Sequence, residues 1–112
     1  MLAFSALAEP TRFQIVEMLA KNGRMPVSQI GKRFTVSAPA ISQHLKVLKE
    51  ANLVQVEVKA QQRIYSLSPD GIGEIEAWLS NTKRLWETRL DALDALLKEE
   101  TNNPQKTKRR RK

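Results

Sequence analysis

Apolar residues recur along this chain at two spacings, and the changes between them mark out its elements. From Ala6 to Asn22, Phe13, Ile15, Val16, Met18 and Leu19 supply one apolar side at helical spacing. Pro10 stands near the first turn, where a missing N–H does no harm, and Asn22-Gly23 tolerates the left-handed conformation that ends a helix. Pro26 to Phe34 predicts a short helix with Val27, Ile30 and Phe34 on one side. Thr35-Val36-Ser37 reads as a turn, and Ser37 as the N-cap of a helix running to about Ala51. Asn52 takes the position where glycine is more usual. The period then drops to two. Leu53 to Val58 alternates, as does Arg63 to Leu67, with Lys59-Ala60-Gln61-Gln62 as a polar turn between them. This predicts a β-hairpin, although the usual Asn-Gly signal is missing. Ser68-Pro69 opens a long helix predicted to about Lys98, roughly 45 Å at ~1.5 Å per residue, whose first turn Gly71 and Gly73 weaken. Thr101 to Lys112 is polar, contains a proline and six cations, and predicts disorder. No internal repeat is visible.

The segment Ser37 to Val54 is the most informative. Stepping about 100° per residue places Ile41, Leu45 and Leu48 together and Ala40, Gln43, Lys46 and Val47 away from them. An ordinary surface helix fills its outer face with long charged side chains. This one carries short residues, an amide and a hydroxyl, with almost no acid. Such a face suits close approach to a DNA major groove and the reading of base edges.

Charge sharpens that picture. The chain has 112 residues and a net charge of +7, unevenly placed. Residues 106–112 hold six of the 19 basic side chains, residues 1–63 hold nine basic and four acidic, and residues 64–105 hold four basic and eight acidic. The basic surface thus falls in the half containing the reading helix, as an electrostatic footprint for phosphate requires; the alternative is random scatter. With no cysteine in the sequence there is no disulfide, thiolate metal site or cysteine nucleophile, which fits a reducing cytoplasm. No apolar run approaches the roughly 18 residues of a membrane span, and the start, MLAFSALAEPTR, has no secretory pattern, so a cytoplasmic location is expected. One histidine, no cysteine and no glycine-rich phosphate loop leave little from which to build an enzyme.

Helix, short helix, turn, helix, hairpin and helix follow one another in the order of a winged helix-turn-helix. The expected fold class is mainly α with a β-hairpin wing, closed by a long C-terminal dimerisation helix. Residues 1–100 would form this domain, with 101–112 as a basic tail. The sequence also resembles the arsenic-repressor (ArsR-type) family of transcription regulators. The likeness is carried by Leu7-Ala8-Glu9-Pro10-Thr11-Arg12 and by Ser37 to Val54 with its Ser42-Gln43-His44-Leu45 core. It extends over about residues 4–98, where Trp78-Leu79, Trp86-Glu87 and Arg89 to Leu93 are similar to the metal-independent branch. The resemblance implies a homodimeric repressor on an inverted-repeat operator, with Ser42 and Gln43 touching bases or nearby phosphates and the wing tip touching the adjacent backbone. Metal-sensing members carry Cys-x-Cys near the short helix or a His/Asp set on the last helix. Here the first region reads Val27-Ser28-Gln29-Ile30 and the last helix has no histidine, so no cofactor is expected.

The candidate DNA-binding residues are Ser37, Pro39, Ala40, Ser42, Gln43 and Lys46 on the helix and Lys59, Gln61, Gln62 and Arg63 at the wing. Gln43 can pair bidentately with adenine, Ala40 can pack on a thymine methyl, and Lys46 can neutralise a phosphate. Arg63 is the candidate for minor-groove insertion; a solvated turn is the bland alternative for the wing. His44 has no second ligand for a metal and reads as a half-buried packing residue or a phosphate contact. Arg12 reads equally as a DNA contact or a structural ion-pair member, and Tyr65 as a packing residue between wing and core.

The last helix has too many apolar residues for one narrow stripe. Leu79, Trp86, Leu90, Leu93 and Leu97 recur at three-to-four spacing, and with Leu2, Phe4 and Leu7 at the start of the chain they are the candidate dimer interface. Membrane-surface binding fits poorly, because the other side of this helix carries Glu74, Glu76, Glu87, Asp91 and Asp94. The expected partners are double-stranded DNA and a second copy of the chain. Two alternatives remain open at this level: a nucleoid-type binder that coats DNA without choosing sites, and a winged helix used for protein–protein contact. The operator, the effector and the role of the basic tail, which either adds phosphate contacts or is merely solvated, are not written in the sequence.

Overall fold

A computed structural model of the chain describes residues 2–101, with side chains through residue 99. The elements are α1 (Leu2–Leu7), α2 (Pro10–Asn22), β1 (Met25–Pro26), α3 (Val27–Lys32), α4 (Ala38–Glu50), β2 (Val54–Lys59), β3 (Gln62–Leu67) and α5 (Pro69–Thr101). The chain divides into two units, one up to Glu76 and one from Ala77 onwards. The expected disordered tail falls, beyond Thr101, outside the described residues.

In the first unit the helices pack over a short sheet in the order β1-β3-β2, all antiparallel. Its core is aliphatic: Ile15, Leu19, Ile30, Ile41, Leu45, Leu48, Leu53 and Val54 are all fully buried. Each such side chain contributes about 1.5–3 kcal/mol on leaving water. Phe34, Val47, Val56 and Leu67 close the edges of this core, together with Ile72 and Ile75 from the start of α5. The second unit is the remainder of α5, and nearly every side chain described on it is exposed.

Three features differ from the sequence-based expectation. The single helical region from Ala6 to Asn22 is two helices, broken at Ala8-Glu9. Proline disfavours the helical conformation in the residue before it, and Glu9 is accordingly extended (φ −91°, ψ 129°). Glu9 then becomes the N-cap of α2, its carboxylate accepting the Arg12 N–H at 2.9 Å. Second, Met25 and Pro26 form a third strand, pairing with Tyr65 and Ile64 in the middle of β3. Third, the hairpin turn has two residues rather than four, because Lys59 and Gln62 are the last ladder pair. Ala60 and Gln61 both sit at positive φ, 48° and 68°, as a two-residue primed turn requires even without glycine.

The end of α4 fixes the start of α5. Asn52 is left-handed (φ 61°), the Leu53 N–H donates back to Leu48 O and the Asn52 N–H to Lys49 O, each at 2.9 Å. This is the Schellman arrangement, with buried Leu48 and Leu53 as its apolar pair. Ser68 is buried beside it, its N–H donating to Leu53 O at 2.9 Å and its Oγ to Asn52 Oδ1 at 3.2 Å. Gly71 passes so close to the Asn52 carbonyl that a Cβ there would lie 1.6 Å from the oxygen.

Candidate nucleic-acid interface

The face of α4 follows from its sequence period. Ile41, Leu45 and Leu48 are buried, while Ser37, Pro39, Ser42, Gln43 and Lys46 are exposed and Ala40 is half-buried. The Ala40 N–H donates to Ser37 Oγ at 3.3 Å, so the Ser37 hydroxyl caps the helix and keeps its own proton as a donor. No acidic residue stands in the first turn. The N-terminus of α4 therefore presents the positive end of its dipole to any phosphate that approaches, while Pro39 has no N–H and those of Ala40 and Ile41 are already bonded to Ser37. The outer face offers a hydroxyl, an amide and an ammonium in sequence order Ser42, Gln43, Lys46, all free of long acidic neighbours until Glu50.

Lys59, Gln61, Gln62 and Arg63 are all exposed around the hairpin turn. Farther down, β2 carries Glu57, which is ion-paired to Arg24. The acid nearest the wing tip is thereby neutralised, and the tip itself carries only cations and amides. Gln55 Nε2 donates across the strands to Ser66 Oγ at 3.3 Å. Tyr65 is buried between its partners Met25 and Val56, which makes it a packing residue.

Two contributions to this surface escaped the sequence. Lys32 and Val36 line an open groove of about 370 Å3 together with Ser42, Val27 and Ala38, which adds a cation and an exposed apolar side chain beside α4. In the sequence, Lys32 is an ordinary basic residue in a last helical turn, and nothing there signals its nearness to Ser42. Val58 is 69% exposed on β2 next to the wing tip, on the same face as buried Val54 and half-buried Val56 but beyond the edge of the core.

Arg12 is engaged within the protein. Its Nε donates to Ala6 O at 2.7 Å, and a terminal guanidinium nitrogen lies 3.4 Å from His44 Nδ1. His44 is half-buried, and its Nδ1 is 3.9 Å from Glu9 Oε1. The Arg12 N–H that it accepts holds the Glu9 carboxyl below its ordinary value. Among the described residues no three of His, Cys, Asp and Glu gather in a way that holds a metal ion. No helix among them is long and apolar enough to cross a membrane.

Large apolar side chains remain exposed in both units. In the first these are Leu2, Phe4, Phe13, Val36 and Val58, whereas Leu7 packs against the core. In the second they include Leu79, Trp86, Leu90 and Leu93, with Leu97 half-buried. At helical spacing these five residues of α5 fall within an arc of about 60°, and Trp78, Leu85 and Leu96 lie about 100° to one side.

Comparison with known proteins places this architecture. Residues 9–56, from the cap of α2 to the middle of β2, match the model of the bacterial regulatory protein arsR family. Over 98 residues the chain is 40% identical to an HTH-type transcriptional regulator of Mycobacterium tuberculosis, covering 88% of each. It is 36% identical to the transcriptional repressor SdpR of Bacillus subtilis over 70% of this chain and 86% of that one. Among solved structures, an ArsR-like transcriptional regulator from a Rhodococcus species superposes with a TM-score of 0.72 at 25% identity, covering 85% of this chain and 89% of that one. The capped helix α4, a basic wing and these relatives agree: the chain belongs to the arsR family of winged-helix transcription regulators.

Proposed function

We propose that the protein is a homodimeric repressor that binds an inverted-repeat DNA operator, each copy inserting α4 into a major groove. The observation that carries this reading is the outer face of α4: short and hydrogen-bonding, acid-free at its N-terminus, and beside an acid-neutralised wing tip. Ser42 and Gln43 read base edges, Ala40 packs on a thymine methyl, and Ser37, Pro39 and Lys46 meet the flanking backbone. Lys59, Gln61, Gln62 and Arg63 hold the adjacent phosphates or minor groove. The second copy covers the apolar face formed by Leu79, Trp86, Leu90, Leu93 and Leu97, with Leu2, Phe4 and Leu7 contributing from α1. Exposed apolar surface of that extent is stabilised by burial against a partner. Two α4 helices on one face of B-DNA would be separated by about 34–36 Å.

Selection from a random duplex library followed by footprinting tests the reading. The selected sites should be dyad-symmetric. Gln43→Ala should relax base preference at one position per half-site, a loss of about 1–3 kcal/mol of discrimination. Lys46→Ala should weaken binding to all sequences and reduce the salt slope by about one. Protection without dyad symmetry, or a Gln43→Ala protein that selects the same site, would overturn the assignment. Equal competition by random duplex would point instead to a binder that coats DNA without choosing sites.

A further inference from the structure

We infer that Arg12 and His44 are positioning residues that fix the roll of the reading helix and join it to α1. The inference rests on reading α4 as the helix that enters the groove and α1 as part of the surface facing a second copy. One side chain touches three helices here. Arg12 belongs to the first turn of α2, its Nε is bonded to Ala6 O in the last turn of α1, and its guanidinium lies on His44 of α4. Its own backbone N–H is held by Glu9.

The chemistry of the pair is constrained. A guanidinium has only donors, so its bond to His44 Nδ1 requires a lone pair on that nitrogen and places the ring proton on Nε2. Glu9 Oε1, at 3.9 Å, faces the same nitrogen and is an acceptor only, so the two neighbours make opposite demands on it. Arg12, at 3.4 Å, is the nearer, and the Glu9 carboxylate is already committed to the Arg12 N–H at 2.9 Å.

A directional contact matters at this place because the buried side chains of α4 itself are all aliphatic. Ile41, Leu45 and Leu48 hold the helix down, but apolar contact is non-directional and leaves rotation about the helix axis weakly determined. A hydrogen bond has an angle as well as a length. His44 sits between buried Leu45 and exposed Gln43, so a roll fixed at His44 is fixed for Gln43 as well. The other end of the tether is equally firm. Ala3 and Ala6 seat the inner face of α1 in the core, while Leu2 and Phe4 point out of it. Arg12 thus connects the helix whose outer face meets the second copy to the helix that meets DNA.

The test uses three variants on the duplex that the wild-type protein recovers from a random library, and on a random-sequence duplex, over a salt series. Arg12→Met keeps the length of the side chain and removes its donors. His44→Leu fills the space without an acceptor. His44→Asn offers Oδ1 close to where Nδ1 stood. Binding-competent protein is counted by stoichiometric titration, so partial unfolding does not mimic a loss of affinity. Arg12→Met and His44→Leu should each lose roughly tenfold on the selected duplex. Both should bind random duplex as wild type does, with an unchanged salt slope. His44→Asn should recover most of the loss, and the Arg12→Met/His44→Leu double variant should lose no more than either single one. Wild-type affinity in Arg12→Met overturns the inference. So does an equal loss on both duplexes with a salt slope lower by about one, which would make Arg12 a phosphate contact. His44→Asn behaving like His44→Leu overturns it too. If the wild-type protein recovers no duplex at all, the reading of α4 falls and the inference with it.

Discussion

Replacing Gly71 by alanine, with Gly73→Ala as its control, separates two roles that glycine can play in one helical turn. A Cβ on Gly71 would stand 1.6 Å from the Asn52 oxygen, 2.6 Å from its carbonyl carbon and 3.4 Å from Leu53 Cα, whereas nothing lies within 4 Å of a Cβ on Gly73. The gap at Gly71 must therefore widen from 1.6 Å to at least 3.0 Å. The obstacle is backbone, held by the Asn52 and Leu53 N–H bonds to α4 and by the Ser68 N–H bond to Leu53 O. Forcing packed backbone apart costs about 3 kcal/mol at the upper end of the usual range, against about 1 kcal/mol gained from replacing glycine in a helix. The net loss is about 2 kcal/mol for Gly71→Ala, against a gain of about 0.5–1 kcal/mol for Gly73→Ala. In melting temperature this is a fall of roughly 8–12 °C and a rise of a few degrees. Thermal and urea unfolding followed by far-ultraviolet circular dichroism, at one fixed protomer concentration, measures both. If Gly71→Ala is as stable as wild type, or the two alanines raise stability alike, the close approach between α5 and the end of α4 is wrong.

Further outcomes follow from the turn, the cap and the apolar face. Gln61→Gly relieves a left-handed residue in the wing turn and should stabilise the protein by about 0.5–1 kcal/mol in urea unfolding; destabilisation would contradict the two-residue turn. The folded-state pKa of Glu9 is lowered, so its stabilisation is fully present above its ordinary value of 4.5 and is lost as pH falls through the lowered one. The melting temperatures of wild type and Glu9→Gln should hence differ by a constant amount at neutral pH and converge in acid, and a gap that widens in acid would reverse the sign. Leu90→Glu with Leu93→Glu should convert dimer to monomer in sedimentation velocity and abolish dyad footprints; a persistent dimer would move the interface elsewhere.

Helix α4 was legible because its information is local. The 3–4 spacing of Ile41, Leu45 and Leu48 and the cap at Ser37 depend on neighbours within a few positions, and the structure places each as the period requires. The two strands of the hairpin were legible for the same reason. What the sequence concealed depends on partners far along the chain. Met25-Pro26 is too short to show any period, and only pairing with Tyr65 and Ile64 makes it a strand. Lys59 and Gln62 look like loop residues by composition, and register alone puts them in the ladder. Gly71 reads as a weak point in a helix until the Asn52 carbonyl is seen above it. The bonding of Arg12 to α1 and α4 is likewise invisible in a linear motif, although the proline that creates the Glu9 cap is plain to see.

The pairing of β1 with only the middle of β3 has a mechanical consequence. Tyr65 and Ile64 are clamped from both sides, while Val58, Lys59, Gln62 and Arg63 are paired only with one another. The wing is therefore a cantilever, stiff at its root and compliant towards its end. In the proposed complex its tip would follow a groove that widens or narrows without levering on the buried residues beneath α4. By the same logic, lengthening the hairpin at Ala60-Gln61 would extend its reach along DNA while leaving the root unaltered, so the wing is the place where this architecture can change its footprint at least cost to folding.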